Sequence, residues 1–177
     1  PEPLRLKSDA EYAESFHDMH ATAVQARLRS AGTVGSMLSG GIDSGSVVAQ
    51  ASRLLSEPLP TFSASGPDPA SCGETQAINA TLALPNLAPT VVDYSDLDSW
   101  QDDLIAATRA LEEPWDFNMI LIRSVYLAAQ RAGVKVVLDG GVADVALARG
   151  DQMVRQVASG HWYRAWQDAK GLSENFG

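Results

Sequence analysis

The sequence is short of cysteine, of basic residues and of long apolar runs, and each shortage removes a class of protein. A single cysteine, Cys72, in 177 residues leaves no internal disulfide framework and no cysteine-built zinc site. That fits a reducing compartment. Lysine and arginine total 13 against 22 acidic residues, a net charge of −9. A chain this acidic lacks the basic footprint that nucleic-acid binding needs. No apolar run approaches the roughly 18 residues of a membrane-spanning helix, and no signal peptide is visible. The expectation is a cytoplasmic protein with neither nucleic acid nor membrane as partner. The chain begins at Pro1 without methionine, so it is expected to be a fragment or a processed piece. Also missing is the phosphate-binding pattern G-x-x-x-x-G-K-[ST], because no lysine follows the glycine pair Gly40-Gly41.

What remains is an ordinary globular composition, 45% hydrophobic, long enough for one domain with its own core. The organising stretch is Val34 to Val48, VGSMLSGGIDSGSVV. It reads as a buried strand (Val34 to Leu38), a tight turn (Ser39 to Asp43) and a helix from about Ser44 to Leu55, with Ser44 as its N-cap. Gly40 and Gly41 let the backbone approach a ligand closely. The helix behind them offers free N–H groups and a partial positive charge. A phosphate fits there. Asp43 places a carboxylate beside it, which makes sense with Mg²⁺ between the two. Ser39 and Ser44 add hydroxyls.

Upstream, Ser8 to Ser30 reads as an amphipathic helix opened by a Ser8–Glu11 capping box, with Tyr12, Phe16, Met19, Ala23, Ala26 and Leu28 as its apolar face. His17 and His20 have no third ligand nearby and read as plain surface or core residues. Downstream, Leu59 to Ser65 is a second strand, followed by a polar loop at Gly66–Pro69. Cys72 reads as an inert thiol. Glu74 to Leu84 is a helix and Ala88 to Tyr94 a third strand. Ser95 to Arg109 is a helix that buries Leu97, Trp100, Leu104, Ile105 and Thr108. Glu112 to Asn118 breaks the pattern at Pro114. Met119 to Ala132 is the next helix and Val134 to Leu138 the fourth strand. The tail, Gln152 to Phe176, reads as helical, with Trp162, Tyr163 and Trp166 on a stripe that packs as core or lines a peptide groove.

The fourth strand runs into Asp139-Gly140-Gly141-Val142-Ala143-Asp144. D-G-x-x-x-D alone is a weak pattern. Placed after a buried strand, it becomes a second ligand-bordering loop, since ligands of open α/β sheets lie at the strands' carboxyl ends. If this strand neighbours the first, Asp43 and Asp144 share one Mg²⁺.

The stretch Ser39-Gly40-Gly41-Ile42-Asp43-Ser44 resembles S-G-G-x-D-S, the pyrophosphate loop (PP-loop) of ATP pyrophosphatases. With Leu38 before it, Thr61-Phe62-Ser63-Ala64, Glu113-Pro114 and Val136-Val137-Leu138-Asp139-Gly140 through Asp144, nearly the whole chain resembles the synthetase domain of asparagine synthetases. The resemblance implies a parallel α/β sheet flanked by helices, of the adenine-nucleotide α-hydrolase type. It implies adenylation of a carboxylate by Mg-ATP, then displacement of AMP by an amine. It places Ser39, Gly40, Gly41 and Ser44 around pyrophosphate, Asp43 and Asp144 on Mg²⁺ as the catalytic pair, and Leu38, Ala64, Asp139 and Gly140 around adenosine.

Asparagine synthetases carry a second serine where this chain has Gly45, an acidic residue where it has Gly141, and Gly-Asp-Glu where it has Ala143-Asp144-Val145. Relatives in lasso-peptide clusters, which activate a peptide Asp or Glu side chain for attack by the peptide's own N-terminus, share the looser pattern. Free aspartate and a peptide carboxylate therefore both stay open as substrates, as does a nucleotide-binding scaffold without catalysis. Another PP-loop enzyme, tRNA-modifying or NAD-forming, is a further reading. A tRNA enzyme would be basic, however, and a thiolating one would carry paired cysteines. Family members continue further and supply a lysine downstream. The chain is thus expected to be one synthetase-type domain over residues 1–177, truncated at the C-terminus and lacking an N-terminal glutaminase. Its implied partners are a separate or upstream glutaminase, or a protease.

Overall fold

A computed structural model describes residues 4–110, 119–141, 143 and 152–176. It comprises two compact units, Pro1–Gly140 and Gly141–Gly177. The first holds a parallel sheet in the order β3-β2-β1-β4, built from β1 (Val34–Met37), β2 (Leu59–Ala64), β3 (Leu87–Val92) and β4 (Val136–Leu138). β1 pairs with β2 through Ser36↔Thr61 and Met37↔Phe62, and with β4 through Val34↔Val136 and Ser36↔Leu138. The expected neighbourhood of the first and fourth strands is therefore real.

Helices cover both faces, as a parallel sheet requires. Leu38, Leu59 and Leu138 meet α1 (Asp9–Arg27), α2 (Ile42–Leu54) and α3 (Gly73–Leu82) through Val24, Val48, Ala51 and Ile78. On the opposite face Phe62 and Val92 pack on α5 (Ile120–Arg131) through Val125, Ala128 and Ala129. Small residues in β1 make room for the largest core side chain. A Cβ on Gly35 would lie 2.9 Å from the Phe62 ring. Pro89 sits in β3, at one edge of the described sheet, where a missing N–H is tolerated. Asn86 takes φ 63 and donates from Nδ2 to the Ser52 and Leu55 carbonyls at 2.8 and 2.9 Å, closing α2 before β2 begins.

Several elements differ from the sequence expectation. Ser8 does cap α1, accepting from the Glu11 N–H at 3.3 Å, but the Glu11 carboxylate accepts from Lys7 instead of returning to Ser8. Of the α1 apolar face, Tyr12, Phe16 and Met19 are exposed and Val24 is the buried residue. Periodicity reports a stripe, whereas burial depends on what lies opposite it. The expected helix Ser95–Arg109 is two pieces, a 3-10 helix (Tyr94–Asp98) and α4 (Gln101–Arg109). Asp93 and Asp96 form a capping box on the first piece, which fixes its start one residue before Ser95. Leu104 is buried, while Ile105 stays exposed. Arg131 ties α4 to α5 by pairing with Asp103 and lying 4.3 Å from the Trp100 ring centroid. Among the described residues no helix is long and apolar enough to cross a membrane.

The second unit holds α6 (Gln152–Ala158) and α7 (Trp162–Phe176), within the tail that reads as helical. The break falls at Gly160, in the left-handed region at φ 80. Trp162, Tyr163 and Trp166 are exposed, with Tyr163 stacked on Trp166 at 6.0 Å.

Phe62 is 1% exposed and fills one face of the sheet. Phe62→Ala is expected to destabilise the first unit by about 3–5 kcal/mol, measured as a lower midpoint in urea unfolding.

Candidate functional site

The strand order creates the site. From β1 the chain steps to β2 and β3 on one side, and β4 lies on the other. The carboxyl ends of β1 and β4 therefore flank a topological switch point, where open α/β sheets bind ligands.

The loop after β1 starts from Leu38, which is fully buried and donates its N–H to the Phe62 carbonyl at 2.9 Å. Gly40 follows at φ +86, and a Cβ there would lie 2.5 Å from the Glu74 carbonyl oxygen. Only glycine meets both demands. Helix α2 begins earlier than expected, at Ile42 with Gly41 as N-cap, and no side chain caps it. Its first N–H groups have no carbonyl partner within the helix. Ile42, 87% exposed, marks the open tip.

Ser44 is not the N-cap. It lies inside the first turn, 3% exposed. Its Oγ accepts from the Ser39 N–H at 3.1 Å, donates to the Gly41 carbonyl at 3.2 Å and contacts Ser39 Oγ at 2.9 Å. Ser44 thus braces the loop from inside, while Ser39 is exposed at its mouth. Asp43 is half-buried on the first turn, where a carboxylate complements the helix dipole.

The loop after β4 lies directly against this turn. A Cβ on Gly140 would come within 2.5 Å of Ser44 N and 2.7 Å of the Asp43 carbonyl carbon. Asp139 accepts a hydrogen bond at 3.2 Å from Tyr126 of α5, a contact no sequence pattern indicated. Burial, then the neighbouring Asp139 charge, hold the Tyr126 phenol above the usual tyrosine range. Ala64 ends β2 at the same edge. The structure so gathers Leu38 to Ser44, Asp139 and Gly140. Asp144 and Glu113-Pro114 lie outside the described residues.

No group of three acidic, histidine or cysteine side chains suited to a metal occurs among the described residues. Mg²⁺ does not require one, since it keeps several waters and takes one or two carboxylates plus phosphate oxygens. A single half-buried carboxylate, Asp43 on the first turn of α2, is compatible with that pattern.

Two further features belong to the first unit. Cys72 precedes α3, and the Thr75 hydroxyl, then the Thr75 amide, hold its thiol below the usual range. A cavity of about 870 Å³ opens between the 3-10 helix, α4 and α5, lined by Leu97, Leu104, Ile105, Ile120 and Leu121. Arg109 and Arg123 border it. Neither makes an ion pair with a described residue, and Arg123 Nε is buried without a hydrogen bond.

The family described as asparagine synthase matches residues 16–175. No curated protein matches the chain. Among solved structures it is similar to an NH3-dependent NAD synthetase from Campylobacter jejuni, in complex with the nitrate ion. The identity is 17% and the TM-score 0.50, over 77% of this chain and 60% of that one. The chain therefore spans about three-fifths of that structure's length. At this identity the likeness is one of fold, the PP-loop fold.

Two glycines make opposite predictions. Gly140→Ala is expected to destabilise by about 1–3 kcal/mol as its methyl group meets backbone. Gly45→Ala, in helix α2 with Thr81 Oγ1 at 3.8 Å as its nearest neighbour, is expected to stabilise by about 0.4–1 kcal/mol. Urea unfolding of both variants checks the pair.

Proposed function

This chain belongs to the asparagine synthase family of ATP-using amide ligases, and from that premise we propose that it adenylates a carboxylate for capture by an amine. The observation that carries the proposal is the contact of Gly140 with the first turn of α2, which packs the loop after β4 against the loop after β1. In this reading Ser39, Gly40, Gly41 and the free N–H groups of α2 hold the β- and γ-phosphates. Ser44 keeps that loop in shape. Ala64, Asp139 and Gly140 border adenosine, whereas Leu38, expected there from the sequence, is fully buried in the core and supports the loop from beneath; Asp43 with Asp144 would hold Mg²⁺. The metal supplies charge neutralisation on the leaving pyrophosphate.

A substrate carboxylate oxygen attacks the α-phosphorus, and pyrophosphate leaves with the bonding pair. The amine nitrogen then attacks the acyl carbon, and AMP leaves. No protein nucleophile is needed, because positioning and electrostatics lower the barrier. Amine supply from a glutaminase and a cytoplasmic setting belong to the same proposal.

The proposal extends to a peptide Asp or Glu side chain in preference to free aspartate, as in a lasso-peptide macrolactam cyclase, with the cavity between the 3-10 helix, α4 and α5 taking the peptide. At about 870 Å³ it is in the range of pockets that enclose drug-sized ligands, about 300–1,000 Å³. Its walls are largely apolar, and aspartate is small and charged at both ends. A peptide segment fills such a space, and Arg109 and Arg123 complement its carboxylates.

Carboxylate-dependent exchange of labelled pyrophosphate into ATP tests the proposal. Exchange is expected with peptide carboxylates above aspartate, and Asp43→Asn is expected to lower it about a hundredfold to a thousandfold. Exchange unaffected by Asp43→Asn would contradict the assignment. ATP binding with no exchange under any carboxylate would favour a non-catalytic scaffold.

A further inference from the structure

We infer that Tyr126 is a positioning residue of the nucleotide site, whose hydroxyl fixes the Asp139 carboxylate and so orients the Asp139–Gly140 turn. The inference deepens the proposed function and rests on it. Helix α5 buries Ser124, Val125, Leu127, Ala128 and Ala129. Tyr126 stands off that face, 40% exposed, so packing does not demand an aromatic ring there. Its hydroxyl instead reaches the end of β4 and donates to Asp139 Oδ2 at 3.2 Å.

That end of the sheet needs a brace. β4 is three residues long and pairs with β1 alone among the described strands. Ser36 Oγ donates to the Leu138 carbonyl at 3.2 Å, tying the end of β4 to β1. One residue later the backbone must pass within contact distance of Asp43 and Ser44. A charge-assisted hydrogen bond from a rigid ring on a packed helix removes rotamer freedom where the turn meets the phosphate loop. A phenol is protonated, and so a donor, throughout the neutral range.

A double-mutant cycle on the full chain tests this, using calorimetric binding of a non-hydrolysable ATP analogue with Mg²⁺. Tyr126→Phe keeps the ring and is expected to weaken binding about fivefold, the worth of one hydrogen bond, with no change in melting temperature. In an Asp139→Ala background the same change is expected to have no further effect. Equal weakening in both backgrounds would mean that Tyr126 acts otherwise than through Asp139, and no weakening in either would mean that it positions nothing; both overturn the inference. A nucleotide-free readout separates this from the function itself. The Tyr126 ring titration, followed by NMR, is expected to move down in pH in Asp139→Asn. A titration indifferent to Asp139 refutes the contact. A responsive titration in a wild-type chain that binds no nucleotide upholds the contact and refutes the proposed function.

Discussion

The site depends on one close approach. The backbone of Gly140 lies against the first turn of α2 so tightly that no side chain fits between them. The β1–β4 register brings the two strand ends level, and the glycine lets the loops touch. Gly40 repeats the constraint on the other flank, held in the left-handed region under the Glu74 carbonyl. A turn clamped from both sides keeps its N–H groups aimed outward before any ligand arrives, and preorganised donors of that kind do most of the electrostatic work in catalysis.

Charge has to be read locally. A chain of net charge −9 is a poor anion binder on average, yet the positive end of α2 and the unbonded amides of its first turn act at contact distance. Beyond roughly 8–10 Å the distributed acidic residues are screened in physiological salt. Ser44 shows the same economy. Its buried hydroxyl is used up inside the loop by Ser39 and Gly41, so the exposed donors are backbone groups and Ser39.

Much of this was legible in the sequence because it is local. An apolar run followed by Gly40-Gly41 and then a helical pattern specifies strand, turn and helix without reference to anything distant. The Asp139-Gly140 loop was legible as a strand end, but its packing on Ser44 was not, since β1–β4 adjacency joins residues about a hundred positions apart. Tyr126 was invisible for the same reason: an aromatic residue in a helix reads as core, and only the fold brings it to Asp139. The helix break before Gln101 was missed because Asp93 and Asp96 spend their capping on a short 3-10 turn. In α1, Tyr12, Phe16 and Met19 follow the period of a buried face and remain exposed, so their spacing says helix and nothing about partners.

Hydrogen–deuterium exchange with and without a non-hydrolysable Mg-ATP analogue tests the central claim most directly, because it reads each segment separately. If the loops after β1 and β4 form one nucleotide seat, amide exchange slows together over Ser39–Ser44 and Asp139–Gly140, over the same range of analogue concentration. Protection of one loop without the other, or protection confined to other segments, would contradict a shared site at the switch point.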